Sequence, residues 1–575
     1  MSGLLRKRGK DPGQTSALEE YLRAYSEHEH LPAMLRVSDM ESRHSSFCSS
    51  LHRGCRAREP DVSAFLYAAL RLPDCISRIS RVVLGPAEDA FAEAGFPDVE
   101  DWVQIRSRAR RRRYHYDGGQ TLAVFVTSMT DLDDLIPSLC AFQIEWNKMH
   151  HLLNAASPGR SRVWSSENGE EIRRCLGLGR PDWELLTRVW THDPEPIWAD
   201  VARAPLDLFL YRLPLHAEHY EHAARQWWDM VTQRLDLGSA VSGDRPLYLV
   251  SSNTHSLSNL ITGFARAHKE ELLSFMEREN PEGIWHTWQD CRRDPDGNPD
   301  DLLYYGLRLY QEHNPGAVAA RLGWEENMGF HRHAPPKYPH LEVQRIALNR
   351  LDQARLDTRL QRPRGLEDSQ ALLVNVDYPL GLAAGQVLSR ACELFPRLQG
   401  VFILGKSAAA IGRLGDIIIP GHVYDSHVHT HYLFRNSLGM RHLIPFLNRI
   451  AAFDDQRSIT VRGTFLHGRE TVSHLLRDDF TGMEMEAGPF LTALYRHFSP
   501  QEPGQSKGQS RTLNIELPEG FNLGLLHYTS DTPYNIRPSL LSTRLGLTGL
   551  EAAYAGSLAI LQRIMDLEAR RLYLS

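Results

Sequence analysis

The 575-residue chain is poor in cysteine: seven are scattered singly (48, 55, 75, 140, 175, 291 and 392), odd in number and without a CxxC pair. That removes the case for a disulfide framework or a zinc ribbon and points to reducing surroundings. Long apolar runs are missing too. No stretch approaches the roughly 18 apolar residues of a membrane span, and residues 1–16 have no apolar leader core. An excess of positive charge is also absent. With 65 Lys and Arg against 71 Asp and Glu, the net charge is −6, giving no global attraction to nucleic acid or acidic membranes. There is no internal repeat. The expectation is a cytoplasmic, soluble protein that does not meet a membrane. At 42% hydrophobic and 24% charged residues the composition is that of a globular chain. Its length asks for two or three domains.

Residues 1–240 read as a mostly helical domain, with apolar residues three and four apart in "LEEYLRAYSEHEHLPAML", "DVSAFLYAALRL", "DLDDLIPSLCAFQIEWNKMHHLL" and "APLDLFLYRLPLHAEHYEHAARQWWDMVTQRL". The texture changes at 241. Residues 247–250 form a short apolar strand feeding the polar turn Ser251-Ser252-Asn253-Thr254-His255 and then a helix. Such a turn is either an anion site or a plain helix cap. Residues 280–368 read as an insertion, with an acidic loop at 294–301 taken as a solvated turn and an amphipathic helix over 341–360. From 371 onward strands and helices alternate, which predicts an α/β fold with a mainly parallel sheet flanked by helices. Residues 499–511 read as a mobile surface loop.

One stretch invites a metal. In "IIIPGHVYDSHVHTH", Asp425, His427, His429 and His431 come at every second position, so an extended chain puts all four on one face, as zinc ligands require. The wording is similar to the first strand of an amidohydrolase barrel. That resemblance fails on order and length: strands of the same α/β unit precede it, and fewer residues follow than the roughly 250 of a barrel.

Four other motifs agree with one another. "VFILGKSAAAIGRLGDIIIP" (401–420), "VRGTFLHG" (461–468), "GMEMEAGPF" (482–490) and "YTSDTP" (528–533) follow in order, after the glycine-bearing turn "DYPLGLAAG" (377–385). Together they resemble the purine nucleoside phosphorylase and nucleosidase superfamily over about residues 371–575. The resemblance implies cleavage of an N-ribosidic bond in a purine-type nucleoside or nucleotide. Asp531 beside Ser530 would be the acid serving the base. Glu484, Met485 and Glu486 would form the ribose motif, and Phe465 would stack on the base. Gly405, Lys406 and His255 would border the nucleophile or anion site. It implies a homo-oligomer, no cofactor, and inorganic phosphate as co-substrate if the reaction is phosphorolysis.

The residue chemistry suits this on its own terms. Breaking an N-glycosidic bond builds positive charge on the sugar and negative charge on the base, so a carboxylic acid and hydroxyl-gripping acceptors are needed. Two parts are missing. The phosphate-holding arginine of such phosphorylases falls on Ile403, and the 251–255 turn has no water-activating carboxylate. A binding protein that senses a nucleoside is the competing class. The arginine run "RSRARRRRYHY" (106–116) suits RNA or phosphate, yet on an acidic chain a solvated face or an internal partner for carboxylates is the stronger reading.

Overall fold

The computed structural model describes residues 17–27, 30–126, 128–156, 164, 168–190, 194–294, 297–336, 339–499, 511–534 and 546–574. Residues 1–16 and the body of the 499–511 loop lie outside the described residues. Two compact units emerge: Met1–Val126 with Asp133–His216 and Phe465–Arg469, and Thr127–Leu132 with Ala217–Thr464 and Glu470–Ser575. Among the described residues no helix is long and apolar enough to cross a membrane.

In the first unit helices prevail, as expected, but around a sheet that the periodicity did not reveal. Strands β1 (Ala33–Arg36), β2 (Arg81–Gly85), β3 (Val103–Ile105), β4 (Tyr114–Tyr116), β5 (Thr121–Phe125) and β6 (Phe209–Arg212) pair in the order β1-β6-β2-β5-β4-β3. Each is only three to five residues long. Such pieces cannot impose their period on the 11–18 residues over which a helix declares itself.

The arginine run is extended chain leading into β4, and its charge is used internally. Arg110 and Arg112 lie 2.7 and 3.1 Å from the buried Asp134 carboxylate, Arg113 pairs with Glu88, and Arg108 is 3.6 Å from Asp74. Burial opposes ionisation of Asp134, but the two guanidiniums outweigh it and hold the carboxyl well below its ordinary range.

The first unit also buries a polar chain. Tyr21 Oη is 3.0 Å from His44 Nδ1, His44 Nε2 is 2.9 Å from His52 Nδ1, and His52 Nε2 is 2.7 Å from Glu145 Oε1. Glu145 is further held by Lys148 Nζ at 2.6 Å and the Asp61 backbone N–H at 2.6 Å. Burial, then the neighbouring His52, lowers His44 well below the usual imidazole range.

The second unit is a sheet between two helical layers. Its strands are β7 (Leu247–Ser251), β8 (His331–His333), β9 (Val343–Ala347), β10 (Leu372–Val376), β11 (Leu398–Ala409), β12 (Ile417–Asp425), β13 (Thr430–Leu433), β14 (Ala452–Thr460), β15 (Phe480–Glu484), β16 (Arg511–Asn514) and β17 (Asn522–Asp531). They pair in the order β16-β13-β12-β14-β15-β11-β7-β10-β9-β8, with β17 joining β11 and β12. β7, β10, β11 and β17 are parallel neighbours, apolar on both faces because helices cover both. Tyr248, Val250, Leu404 and Leu526 pack towards helices Ser256–Thr262, Pro299–His313 and Gly546–Leu574. Leu249, Val401, Ile403 and Leu525 pack towards helices Ala217–Arg234, Leu382–Leu394 and Ala487–Phe498. The mixed, helix-flanked α/β architecture is the one expected.

Three local expectations change. Helix Ala217–Arg234 sits with the second unit, where Trp227 and Trp228 are fully buried. Residues 341–360 are not a helix. β9 runs there, antiparallel to β10, so the supposed insertion supplies a strand of the main sheet. The acidic loop is not a solvated turn throughout either. Asn298 caps helix Pro299–His313, with proline at its first position. That start carries Asp301 inward, where Arg359 Nη2 meets it at 2.7 Å.

Candidate functional site

The motif residues gather where strands end. β12, β14 and β15 are parallel, and their last residues Asp425, Thr460 and Glu484 stand level. Glu484 Oε2 accepts the N–H groups of Glu486 (2.6 Å) and Ala487 (2.7 Å). The Thr460 hydroxyl donates to Glu484 Oε1, and its oxygen accepts the Gly488 N–H at 2.7 Å. The first turn of helix Ala487–Phe498 is thereby tied to two strand ends. Glu484 thus positions the Glu-Met-Glu segment, while Glu486 opens the helix, half-buried.

Across the sheet, Ala408 of β11 lies between Met483 of β15 and Asp531 of β17. Adjacent strands are about 4.8 Å apart, so Asp531 and the Glu-Met-Glu segment flank a single strand at about 10 Å. Ser530 Oγ donates to Asp531 Oδ2 at 3.1 Å. Just beyond, Tyr534 shares an apolar cluster with Met485 and Met483. Two groups escape sequence reading. Tyr528 is buried, and its burial, Tyr378 and the Glu486 carboxylate all push its phenol well up. Thr460 is the other. Alternation along "LLHYTSD" places Tyr528 inside, but nothing local says that it meets Glu486.

Burial first, and the neighbouring Glu486 second, push Glu484 up to about 8, against the bonds it accepts. The folded state then binds a proton that the unfolded state releases near pH 4.5. Stability therefore falls as pH rises from about 5 to about 8, at up to about 1.4 kcal/mol per pH unit. Glu484→Gln is expected to flatten that slope in urea titrations run across the window. An unchanged slope would refute the assignment.

The remaining candidates are placed as follows. Gly405 lies at the β11–β17 contact, where a Cβ would meet His527 Cδ2 at 3.5 Å. Lys406 is exposed, in register with Tyr528. Ile403, standing where an arginine would hold phosphate, is buried apolar core. The 251–255 turn is a cap: Asn253 Oδ1 accepts the Ser256 N–H at 2.7 Å, Ser252 Oγ donates to Asn375 Oδ1 at 2.9 Å, and Gln344 Nε2 to the Thr254 carbonyl at 2.6 Å. His255 stacks on Tyr554 with ring centres 6.2 Å apart. Phe465, expected to stack on a base, is 2% exposed within the first unit and packs on Tyr67, His44 and His52 at 5.2, 6.1 and 6.2 Å. Its ring presents no open face there.

The histidine stripe is not a stripe. A turn over 426–429 breaks the extended run, and His429 takes a left-handed φ of 50°. His427 Nδ1 is 2.8 Å from Asp425 Oδ1, His429 Nδ1 is 3.0 Å from the Tyr424 hydroxyl, and His431 Nδ1 is 2.9 Å from His422 Nε2. With one pair closed on itself and the other two rings held by Tyr424 and His422, the four do not converge on an ion. Among the described residues no group of three or more His, Cys, Asp or Glu is arranged to hold a metal.

The model of a family described as "Family of unknown function (DUF6909)" matches residues 37–566. No curated protein matches the chain. Solved structures with similarity include 5′-methylthioadenosine/S-adenosylhomocysteine nucleosidase from Neisseria meningitidis in complex with methylthio-immucillin-A. It has 10% identity over 43% of this chain and 94% of that one, at a TM-score of 0.29. A Helicobacter pylori MTAN mutant with 5′-methylthioadenosine in the active site has 8% identity over 56% and 99%, at 0.30. A futalosine hydrolase mutant of Helicobacter pylori has 11% identity over 42% and 92%, at 0.27.

Proposed function

We propose that this chain, which belongs to the DUF6909 family of unknown function, cleaves the N-ribosidic bond of a purine-type nucleoside or nucleotide at the strand-end cluster. The observation that carries this reading is that β15, which leads into Met485 and Glu486, and β17, which ends at Asp531, flank β11 in one sheet. Glu486 accepts hydrogen bonds from ribose hydroxyls and favours the positive charge that grows on the sugar. Met485 packs on the ribose face. Asp531 gives its proton to the base as the C–N electron pair moves onto it. The attacking oxygen belongs to water or to phosphate, with Lys406 of β11 as a candidate cation for the anion.

The test is incubation of the purified protein with a panel of nucleosides and nucleotides, with and without phosphate, followed by assay of free base. Released base is the expected result, and its dependence on phosphate separates phosphorolysis from hydrolysis. One observation favours a second reading, a nucleoside-sensing binding protein: the 251–255 turn has no carboxylate, and Ser252 Oγ and Asn253 Oδ1 are engaged within the fold. Saturable binding without base release, unchanged in Asp531→Asn, would establish that reading instead.

A further inference from the structure

Asp425 and His427 have no part in the chemistry above, yet they form a buried, oriented pair. Their side chains are 1% and 4% exposed. Asp425 Oδ1 accepts both the backbone N–H and the ring Nδ1–H of His427, each at 2.8 Å, and Oδ2 accepts the Thr492 hydroxyl at 3.3 Å. A carboxylate on Nδ1 fixes the neutral ring with its proton on that nitrogen and a bare lone pair on Nε2. That Nε2 is buried and has no hydrogen-bond partner among the described residues; the adjacent Ser426 Oγ is in the same state. A buried acceptor without a donor carries an uncompensated desolvation cost, so the site is complete only when a donor arrives.

The pair stands beside the strand-end cluster. Asp425 is level with Thr460 and Glu484, about 10 Å from the latter across two strand spacings. Gly488, in the helix that Glu486 opens, presses on it so closely that a Cβ there would lie 2.6 Å from Asp425 Cγ. A lone pair in this place selects among ligands. It repels an anion, which has no proton to give. A metal ion would need further ligands, which the described residues do not supply. A neutral hydroxyl is the donor that fits.

We propose that His427 Nε2 accepts a hydrogen bond from a hydroxyl of the bound sugar, which makes His427 a substrate-binding residue and the ligand a ribonucleoside rather than a dideoxy form. This rests on the nucleoside reading above. The experiment uses the full chain with 15N-labelled histidine, titrated with adenosine or inosine and with their 2′,3′-dideoxy counterparts. The free protein should show His427 with unprotonated Nε2, and the ribonucleoside should shift that resonance where the dideoxy form does not. His427→Phe should weaken ribonucleoside binding about tenfold and leave dideoxynucleoside binding unchanged. Asp425→Ala removes the acceptor that keeps the ring proton on Nδ1 and fixes the ring's orientation, so it should cause the same loss. The double variant should lose no more than either single one. If His427→Phe does not fold, the resonance shift and Asp425→Ala decide the matter. Base release together with an unmoved Nε2 resonance would overturn the inference, assigning a buried water to that nitrogen and leaving the nucleosidase reading intact. Neither binding nor release of any nucleoside would overturn both.

Discussion

Asp531→Asn is expected to lower base release by about 10²- to 10⁴-fold, the range that a positioned proton donor supplies. An amide keeps the size of the side chain and can still take the 3.1 Å bond from Ser530 Oγ. The loss should therefore appear in kcat, with the thermal unfolding midpoint and nucleoside affinity little changed. The comparison with Glu486→Gln is informative. In the proposed reading Glu486 grips the sugar in both ground and transition states, so its variant should raise KM as well as lower kcat. A pair of variants with identical profiles would mean that the two carboxylates do not divide the labour between base and sugar.

Arg359→Met is expected to destabilise the second unit by about 3–5 kcal/mol, the usual cost of stranding buried charge. Arg359 Nε and Nη2 hold Asp357 at 2.9 Å each, and Nη2 also reaches Asp301 at 2.7 Å. Both carboxylates are nearly inaccessible, and Tyr304 Oη donates to Asp357 at 2.7 Å. Burial pushes Asp301 up to about 7 even with the guanidinium beside it. Without Arg359, two carboxyl groups face each other in low dielectric, and one must take up a proton. Urea denaturation at pH 8 should show the largest loss, and adding Asp301→Asn should recover part of it. A loss below about 1 kcal/mol, the worth of an exposed ion pair, would contradict the buried network.

Strands β7, β10, β11, β12 and β17 were legible because each contains a short apolar run beside turn residues. The order of the strand-end motifs was legible for the same reason: they follow where those runs stop. What was hidden depends on contacts between distant residues. Along 341–351 the apolar positions suit a helix about as well as an alternating strand, and pairing with β10 decides between them. The histidine stripe failed at a single point, the left-handed turn at His429, which no periodicity announces. For Phe465 a motif gives the residue's order along the chain and says nothing of which neighbours enclose its ring.

The buried chain of the first unit has a polarity set from one end. The Glu145 carboxylate, held by Lys148, can only accept, so His52 must donate from Nε2 and receive at Nδ1. His44 must then do the same, and Tyr21 must point its proton inward. Residues 21, 44, 52 and 145 therefore choose their orientations as one unit, and reversing any ring means reversing them all. One carboxylate acts as the terminus of a one-way circuit through four distant segments of chain.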